Sequence, residues 1–396
     1  MSQNTSPNRI AWLQSLNQCA DRRDNPVPVG GVVSRYQTPN QRIVIRCHLY
    51  AHGGYGQLAE RLGMELEARG IPVAYDPISV VEEFAPVQPF IRDRLVSLPV
   101  DRWELLLSVP STPLRETKKS IFFTMWESTH MADHAVGVFN QSESVIVPCT
   151  FNRHCFQQQG VTKPIYVVPL GIDPTEWQYL GPPPVDGPTI FATAARHSHG
   201  GIRKNTVDMA RAFCEAFPKG DEPVEFRIKC FTDCATYLSR LPRDRRIKIY
   251  DHTMSTEELV DWCRQATVGA FCSRGEGWGL HIHQFMALGR PPITCLGTAM
   301  ADYYAPGTCV PVDYDWDTAR DTYEAKGDWM VPVYEDMVNK FQFSHRNREL
   351  IAEMAPKSAE QARRFSWSNT GDKLIAALEA TGILKDLNLK PGKASV

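Results

Sequence analysis

Short β-branched runs alternate with stretches of helical spacing along most of this chain. The first run, Arg42 to Leu49 (RIVIRCHL), predicts a strand ending just before Ala51-His52-Gly53-Gly54-Tyr55-Gly56. Leu58, Leu62 and Leu66 then recur at helical spacing. Arg69-Gly70 closes that helix, since glycine after a basic last turn is a stop signal. Ile71 to Tyr75 predicts the next strand. Strand, glycine loop, helix and strand make one βαβ unit, and such units build parallel sheets with right-handed crossovers.

Further strands are expected at Glu104–Val109, Ser120–Met125, Ser144–Val147 and Pro164–Val168. From Gly171 to Pro188 the chain is rich in proline and glycine, including Gly181-Pro182-Pro183-Pro184, which predicts a stiff linker. A second alternating series follows: strand Thr189–Thr193, helix Thr206–Phe217, strands Glu225–Phe231 and Arg246–Tyr250, helix Ser255–Gln265, strand Val268–Cys272. Ser255 with Glu258 three residues later matches a capping box. The C-terminal stretch reads as helical. A length of 396 residues suits two α/β domains.

Composition changes this picture little. Hydrophobic content of 43% and charged content of 22% belong to a globular chain, and a net charge of -2 gives no global pull toward nucleic acid or anionic membrane. Met1 to Arg9 is polar and lacks the apolar stretch of a signal peptide, and no segment is apolar enough to span a bilayer. Between Glu82 and Arg102, near Phe84, Phe90 and Trp103, prolines break any long amphipathic helix, so no stable membrane insertion is expected. A cytoplasmic protein with reduced thiols, many of them buried, is the expectation. Cys230 and Cys234 are the only close cysteine pair and no second pair follows, which argues against a zinc site.

Open parallel sheets bind ligands at the carboxyl ends of their strands, where backbone N–H groups and helix N-termini face an anion. Three segments qualify. Gly53-Gly54-Tyr55-Gly56 follows the first strand and would let the backbone approach a phosphate or sugar, although a tight turn reads the same way. Arg196, with Arg203 and Lys204 a short loop later, follows the strand ending near Thr193; a diphosphate leaving group needs such charge, and a solvated basic loop would look alike. Ser273-Arg274-Gly275-Glu276-Gly277-Trp278-Gly279-Leu280 follows the strand ending at Cys272. Its glycines surround one carboxylate, placing Glu276 beside backbone N–H groups where a sugar hydroxyl could be held. A purely structural turn would not require so many glycines beside an acid.

At this last segment the chain resembles family 4 of the retaining glycosyltransferases, of the GT-B fold. Glu276-Gly277-Trp278-Gly279-Leu280 and then Phe285-Met286-Ala287-Leu288-Gly289-Arg290-Pro291-Pro292-Ile293 look like that family's donor-sugar motif and following helix. Gly53-Gly54 matches its N-terminal loop, and Val168-Pro169-Leu170-Gly171-Ile172-Asp173 its entry to the linker. Arg196 and Lys204 sit where its diphosphate-binding pair sits, and Phe365-Ser366-Trp367 resembles the start of its terminal helix.

The resemblance implies two Rossmann-like domains with parallel sheets facing across a cleft. Residues 1–172 would be the acceptor-binding domain, 173–188 the linker, 189–364 the nucleotide-sugar domain, and 365–396 a helix crossing back to the first domain and a tail. It implies a hexosyl- or pentosyltransferase that works by front-face attack with retention and needs no metal or other cofactor. Arg196 and Lys204 would stabilise the leaving diphosphate and Glu276 would hold donor-sugar hydroxyls. The amides of Gly53, Gly54, Gly277, Trp278, Gly279 and Leu280 would approach the sugar and phosphates.

Three departures from the family pattern stand out. Its second glutamate, the ribose ligand eight positions after the first, is Gln284 here. Where the family often carries a histidine near the reacting sugar, this chain has Glu127, with His130 three residues later. Arg227 to Asp233 lacks the glycines common where the base lies, so the base is not legible. His281 and His283, and likewise His197 and His199, alternate, but positions two apart on a helix diverge and are poorly placed to share an ion. His281, where the family commonly has proline, is a candidate contact to the donor sugar.

The partners expected are therefore a nucleotide-sugar donor and an acceptor the sequence does not identify: a saccharide, a small molecule or a modified nucleic acid. Gln284 motivates a different class, a catalytically silent nucleotide-sugar-binding subunit, against which Arg196, Lys204 and Glu276 argue. A nucleic-acid acceptor would need a basic groove, for which Arg92, Arg94, Arg115, Lys118 and Lys119 are scattered candidates.

Overall fold

The computed structural model describes residues 41–49, 54–80, 88–96, 102–116, 118–195, 202–230, 239–320 and 326–392. Twelve strands lie in two six-stranded sheets and two more form a separate hairpin. The chain divides into two compact units: one runs to Leu107 and adds Arg115–Ser120 and the chain from Gly382, the other holds Ser108–Leu114 and Ile121–Thr381.

In the first unit β1 (Ile43–Leu49) lies between β2 (Val73–Val80) and β3 (Trp103–Leu107), and both pairings are parallel. Between β1 and β2 runs α1 (Gly54–Ala68), whose Leu58, Leu62 and Leu66 are buried as their spacing predicts. The Tyr75 hydroxyl donates to the Ala59 carbonyl at 2.8 Å and ties this helix to the sheet. Gly70 turns out of the helix at φ +76, a conformation that favours glycine. The strand after it extends to Val80, beyond the predicted Tyr75, and a short helix, α2 (Pro89–Arg92), follows.

The scattered basic residues of this unit are largely spoken for. Arg94 grips Glu67 through Nε at 2.7 Å and Nη2 at 2.6 Å, Arg115 pairs with Asp76, and Lys119 with Asp386 at 3.4 Å.

After β4 (Lys119–Phe123), whose residues from Ile121 on belong to the second unit, come α3 (Asp133–Gln141), β5 (Ser144–Val147), α4 (Thr150–Gln158) and β6 (Ile165–Val167), with β5 parallel to both β4 and β6. No helix or strand occurs from Gly171 to Pro188, where proline and glycine predict a linker. Then come β7 (Thr189–Ala194), α5 (Thr206–Ala216), β8 (Val224–Lys229), β9 (Ile247–Tyr250), α6 (Thr256–Arg264), β10 (Val268–Phe271), α7 (Leu280–Ala287), β11 (Pro292–Cys295), α8 (Met300–Tyr303) and β12 (Val310–Val312). These strands form a sheet in the order β12-β11-β10-β7-β8-β9. Its rings close the core: Phe191 meets Phe341 at 4.9 Å between centroids, and Phe213 meets Phe226 at 5.6 Å. The capping box is present, with Ser255 Oγ accepting from the Glu258 amide and Glu258 from the Ser255 amide.

An antiparallel hairpin, β13 (Tyr314–Thr318) and β14 (Asp328–Pro332), precedes α9 (Tyr334–Arg346), α10 (Arg348–Arg363), α11 (Trp367–Ala380) and α12 (Ile383–Asp386). Ser366 caps α11, and the Thr370 hydroxyl on that helix donates to the Pro169 carbonyl at 2.8 Å. Nine cysteines lie among the described residues and eight of them are buried, while Cys234 lies outside these residues. No helix among the described residues is long and apolar enough to cross a membrane.

Candidate functional site

Strand order in the second sheet reverses direction between β7 and β10: from β7 the chain proceeds to β8 on one side and returns to β10 on the other. The loops leaving two such strands diverge and open a crevice at their carboxyl ends, where α/β sheets bind ligands. Lys204 lies on the loop after β7 and Glu276 on the loop after β10. The switch point brings the two together across 72 residues of sequence.

Glu276 is the centre of the cluster. Lys204 Nζ donates to both of its carboxylate oxygens, at 2.7 and 2.9 Å. Arg203 Nη1 donates to Glu276 Oε2 at 3.2 Å and to the Gly275 carbonyl at 2.7 Å, while its Nη2 faces Glu127 Oε1 at 3.6 Å. The Glu276 amide donates to Thr298 Oγ1 at 3.2 Å. Burial works against charge on Glu276, but the Lys204 and Arg203 charges outweigh it and hold the carboxyl at about 2. The group is an anion at neutral pH. Burial pulls Lys204 below its usual value, with Glu276 opposing.

Local backbone explains why these residue types are needed. A Cβ on Gly275 would collide with the Glu127 carbonyl oxygen, so only glycine lets the acid loop press against this segment. Gly279, the N-cap of α7, sits at φ +83 and frees the first amides of the helix to face outward. Asn205 and Thr298 carry φ of 57 and 51, an uncommon choice for Asn and a strained one for a β-branched residue. Both flank the Glu276 cluster.

The remaining candidates are placed as follows. Trp278 is 1% exposed, its indole packed on Tyr303, His283 and Phe365, so it can offer the crevice only its backbone. Gln284 is buried on α7, and its Oε1 lies 2.9 Å from His281 Nδ1. Burial holds His281 below its usual value, so the ring is neutral at pH 7 and its Nδ1–H donates to the amide oxygen. His283 points elsewhere, with Nε2 donating to the Ala362 carbonyl at 2.9 Å. His130 is an exposed residue whose ring pairs with the Thr129 hydroxyl at 2.9 Å rather than with any member of the Glu276 cluster. Gly54 opens α1 in the first unit with open space around it. Gly53, Arg196, His197 and His199 lie outside the described residues.

Arg203 is the member that sequence reasoning underrated. Its adjacency to Lys204 was the available signal, but only the fold shows that it bridges Glu127 and Glu276.

No protein-family model and no curated protein matches the chain in sequence. Solved structures do match in shape. A sucrose-phosphate synthase of Thermosynechococcus elongatus superposes with a TM-score of 0.63 over 86% of this chain and 98% of its own, at 12% identity. HepE of Anabaena, solved with UDP and glucose, gives 0.59 over 86% of this chain and 100% of its own, at 11% identity. The lipopolysaccharide outer core galactosyltransferase WaaB gives 0.58 over 86% and 99%, at 15% identity. At these identities the likeness is one of fold: the chain has the two-domain, Rossmann-like α/β architecture of GT-B glycosyltransferases.

Proposed function

We propose that this chain is a retaining glycosyltransferase that moves a sugar from a nucleotide-diphosphate donor to an acceptor hydroxyl. The observation that carries this reading is the buried Glu276, held between Lys204 and Arg203 at the switch point of a sheet in a fold shared with enzymes of that class.

On this reading the donor diphosphate takes over the two cations, joined by Arg196. Positive charge there is worth most as the glycosidic bond breaks and the leaving group gains charge. Glu276, relieved of its partners, accepts hydrogen bonds from donor-sugar hydroxyls, and the amides from Gly277 to Leu280 supply donors at the start of α7. Gln284, oriented by His281, meets the ribose with an amide N–H where a carboxylate would offer only acceptors. Glu127 lines the side of the crevice nearest Arg203. The leaving diphosphate oxygen takes the acceptor's proton, so attack comes from the face that the leaving group departs. Side chains and helix-end amides supply the charge, and the reading assigns no metal or other cofactor.

The test is a thermal-shift series with UDP-, GDP-, ADP- and TDP-sugars, with and without EDTA, followed by donor hydrolysis and product anomer analysis. A midpoint rise with one nucleotide, unaffected by chelator, and slow hydrolysis with retention are expected. Binding without any turnover would make the chain a silent donor-binding subunit. Glu276→Ala is expected to remove most hydrolysis, with a lowered melting midpoint from the lost ion pair but native circular dichroism; wild-type turnover in it defeats the assignment.

A further inference from the structure

One face of the β13–β14 hairpin carries chemistry that the donor site does not use. Opposed residues of an antiparallel pair point the same way, so Trp316 and Thr318 share a face with Met330 and Asp328. The inner end of that face is packed, with Met330 buried against Gly297. The outer end is not. Trp316 is 45% exposed, whereas each of the seven other described tryptophans is at most 8% exposed.

An indole left in water where every other described tryptophan is buried is a recognition surface in search of a partner. Phe151, in the first turn of α4, runs beside it with the rings 14° from parallel and the centroids 6.2 Å apart, an offset that lengthens the aromatic surface. Tyr314 meets the indole edge-on at 83° and braces it. Thr318 and Asp328, both exposed, stand next along the same face. Thr129 holds the Asp328 backbone on both sides: its amide donates to the Asp328 carbonyl and its hydroxyl accepts from the Asp328 amide, each at 2.8 Å. The backbone that presents the carboxylate is thereby fixed, and among the described residues the carboxylate enters no ion pair.

An open aromatic plane with a carboxylate and a hydroxyl at its rim is suited to a pyranose. The C–H face of such a ring packs on the indole, and its hydroxyls find a charged acceptor and a group that both donates and accepts. The location fits as well. The Met330 amide donates to the Arg274 carbonyl at 2.8 Å, so β14 is bonded to the loop that carries Glu276. Trp316 lies directly across from Met330, about two strand spacings, roughly 10 Å, from that loop.

We infer that this face of the hairpin is a carbohydrate-binding subsite, holding the acceptor through a pyranose stacked on Trp316 with Asp328 and Thr318 on its hydroxyls. The inference names the acceptor class and rests on the transferase reading above. The test probes full-length protein on a printed array of gluco-, galacto- and manno-configured oligosaccharides without nucleotide. Thermal shifts with the four nucleotide sugars are measured in parallel.

Wild type is expected to bind at least one saccharide. Trp316→Ala and Asp328→Asn should each weaken that binding about tenfold, Trp316→Phe should retain most of it, and the nucleotide-sugar shift should be the same in all. These are exposed positions, and an unchanged melting midpoint without ligand verifies the fold of each variant. A wild type that binds no saccharide, or Trp316→Ala and Asp328→Asn variants that bind like wild type, overturns the subsite. Saccharide binding that needs Trp316, without any nucleotide-sugar shift, supports the subsite and overturns the transferase reading instead.

Discussion

Replacing Lys204 by methionine leaves Glu276 buried opposite Arg203 alone. The carboxyl ordinarily titrates at 4.5 and here lies at about 2. At 1.36 kcal/mol per unit, that difference corresponds to roughly 3 kcal/mol of stability at neutral pH. Because the folded value is depressed, the contribution is complete above the unfolded value near 4.5 and is lost as pH falls through about 2. Arg203 at 3.2 Å retains part of it, so Lys204→Met should cost about 2 kcal/mol at pH 7. The assay is a double-mutant cycle of Lys204→Met and Glu276→Gln, read by urea unfolding at pH 7 and again at pH 3. A coupling of about 2 kcal/mol at pH 7, falling to roughly 1 at pH 3, is expected. Coupling under about 0.5 kcal/mol at pH 7, or a value indifferent to pH, would refute a buried, direct ion pair.

Gly275→Ala places a methyl against the Glu127 carbonyl and should destabilise the protein by about 1–3 kcal/mol; a melting curve identical to wild type would show that the two segments are not pressed together. Arg203→Ala should lower donor hydrolysis about a hundredfold, and an unchanged rate would remove Arg203 from the leaving-group role. Gln284→Glu puts a carboxylate beside His281, which favours the imidazolium and raises its pKa. His281, seen by NMR, should then titrate at higher pH than in wild type, and nucleotide-sugar binding should be preserved or strengthened while the ring is charged. A titration that does not move would break the His281–Gln284 hydrogen bond as described.

Much of the sheet framework was legible because each strand of the core is a short apolar run bounded by a turn residue. Ser144–Val147 is observed as predicted, and Ser255 and Glu258 declare their helix start through local hydrogen bonds alone. The helices Asp133–Gln141 and Thr150–Gln158 passed unread because each is only nine residues long, and tertiary packing of a few residues, such as Phe139 and Phe156, decides them. The hairpin went unread because its pairing with residues 328–332 is not recorded in either strand's local sequence. Within the site, Glu276 announced itself through its glycines. The Arg203 bridge to Glu127 and Glu276 could not, because nothing local records which residues a switch point brings together.

The cysteines have a practical consequence. Cys47 lies in β1 of the first unit, and Cys149, Cys263 and Cys295 are distributed through the second, all buried and with burial pushing their thiols far from reactivity. Cys214, half-buried, is more accessible, although burial and the adjacent Asp244 push its thiol up to about 11. A thiol reagent added to native protein should therefore mark Cys214 ahead of these four and reach those four only when a unit opens. The molecule carries its own set of clocks, one group in each unit. Labelling rates with and without a bound nucleotide sugar would report which unit the ligand keeps shut, without introducing a probe.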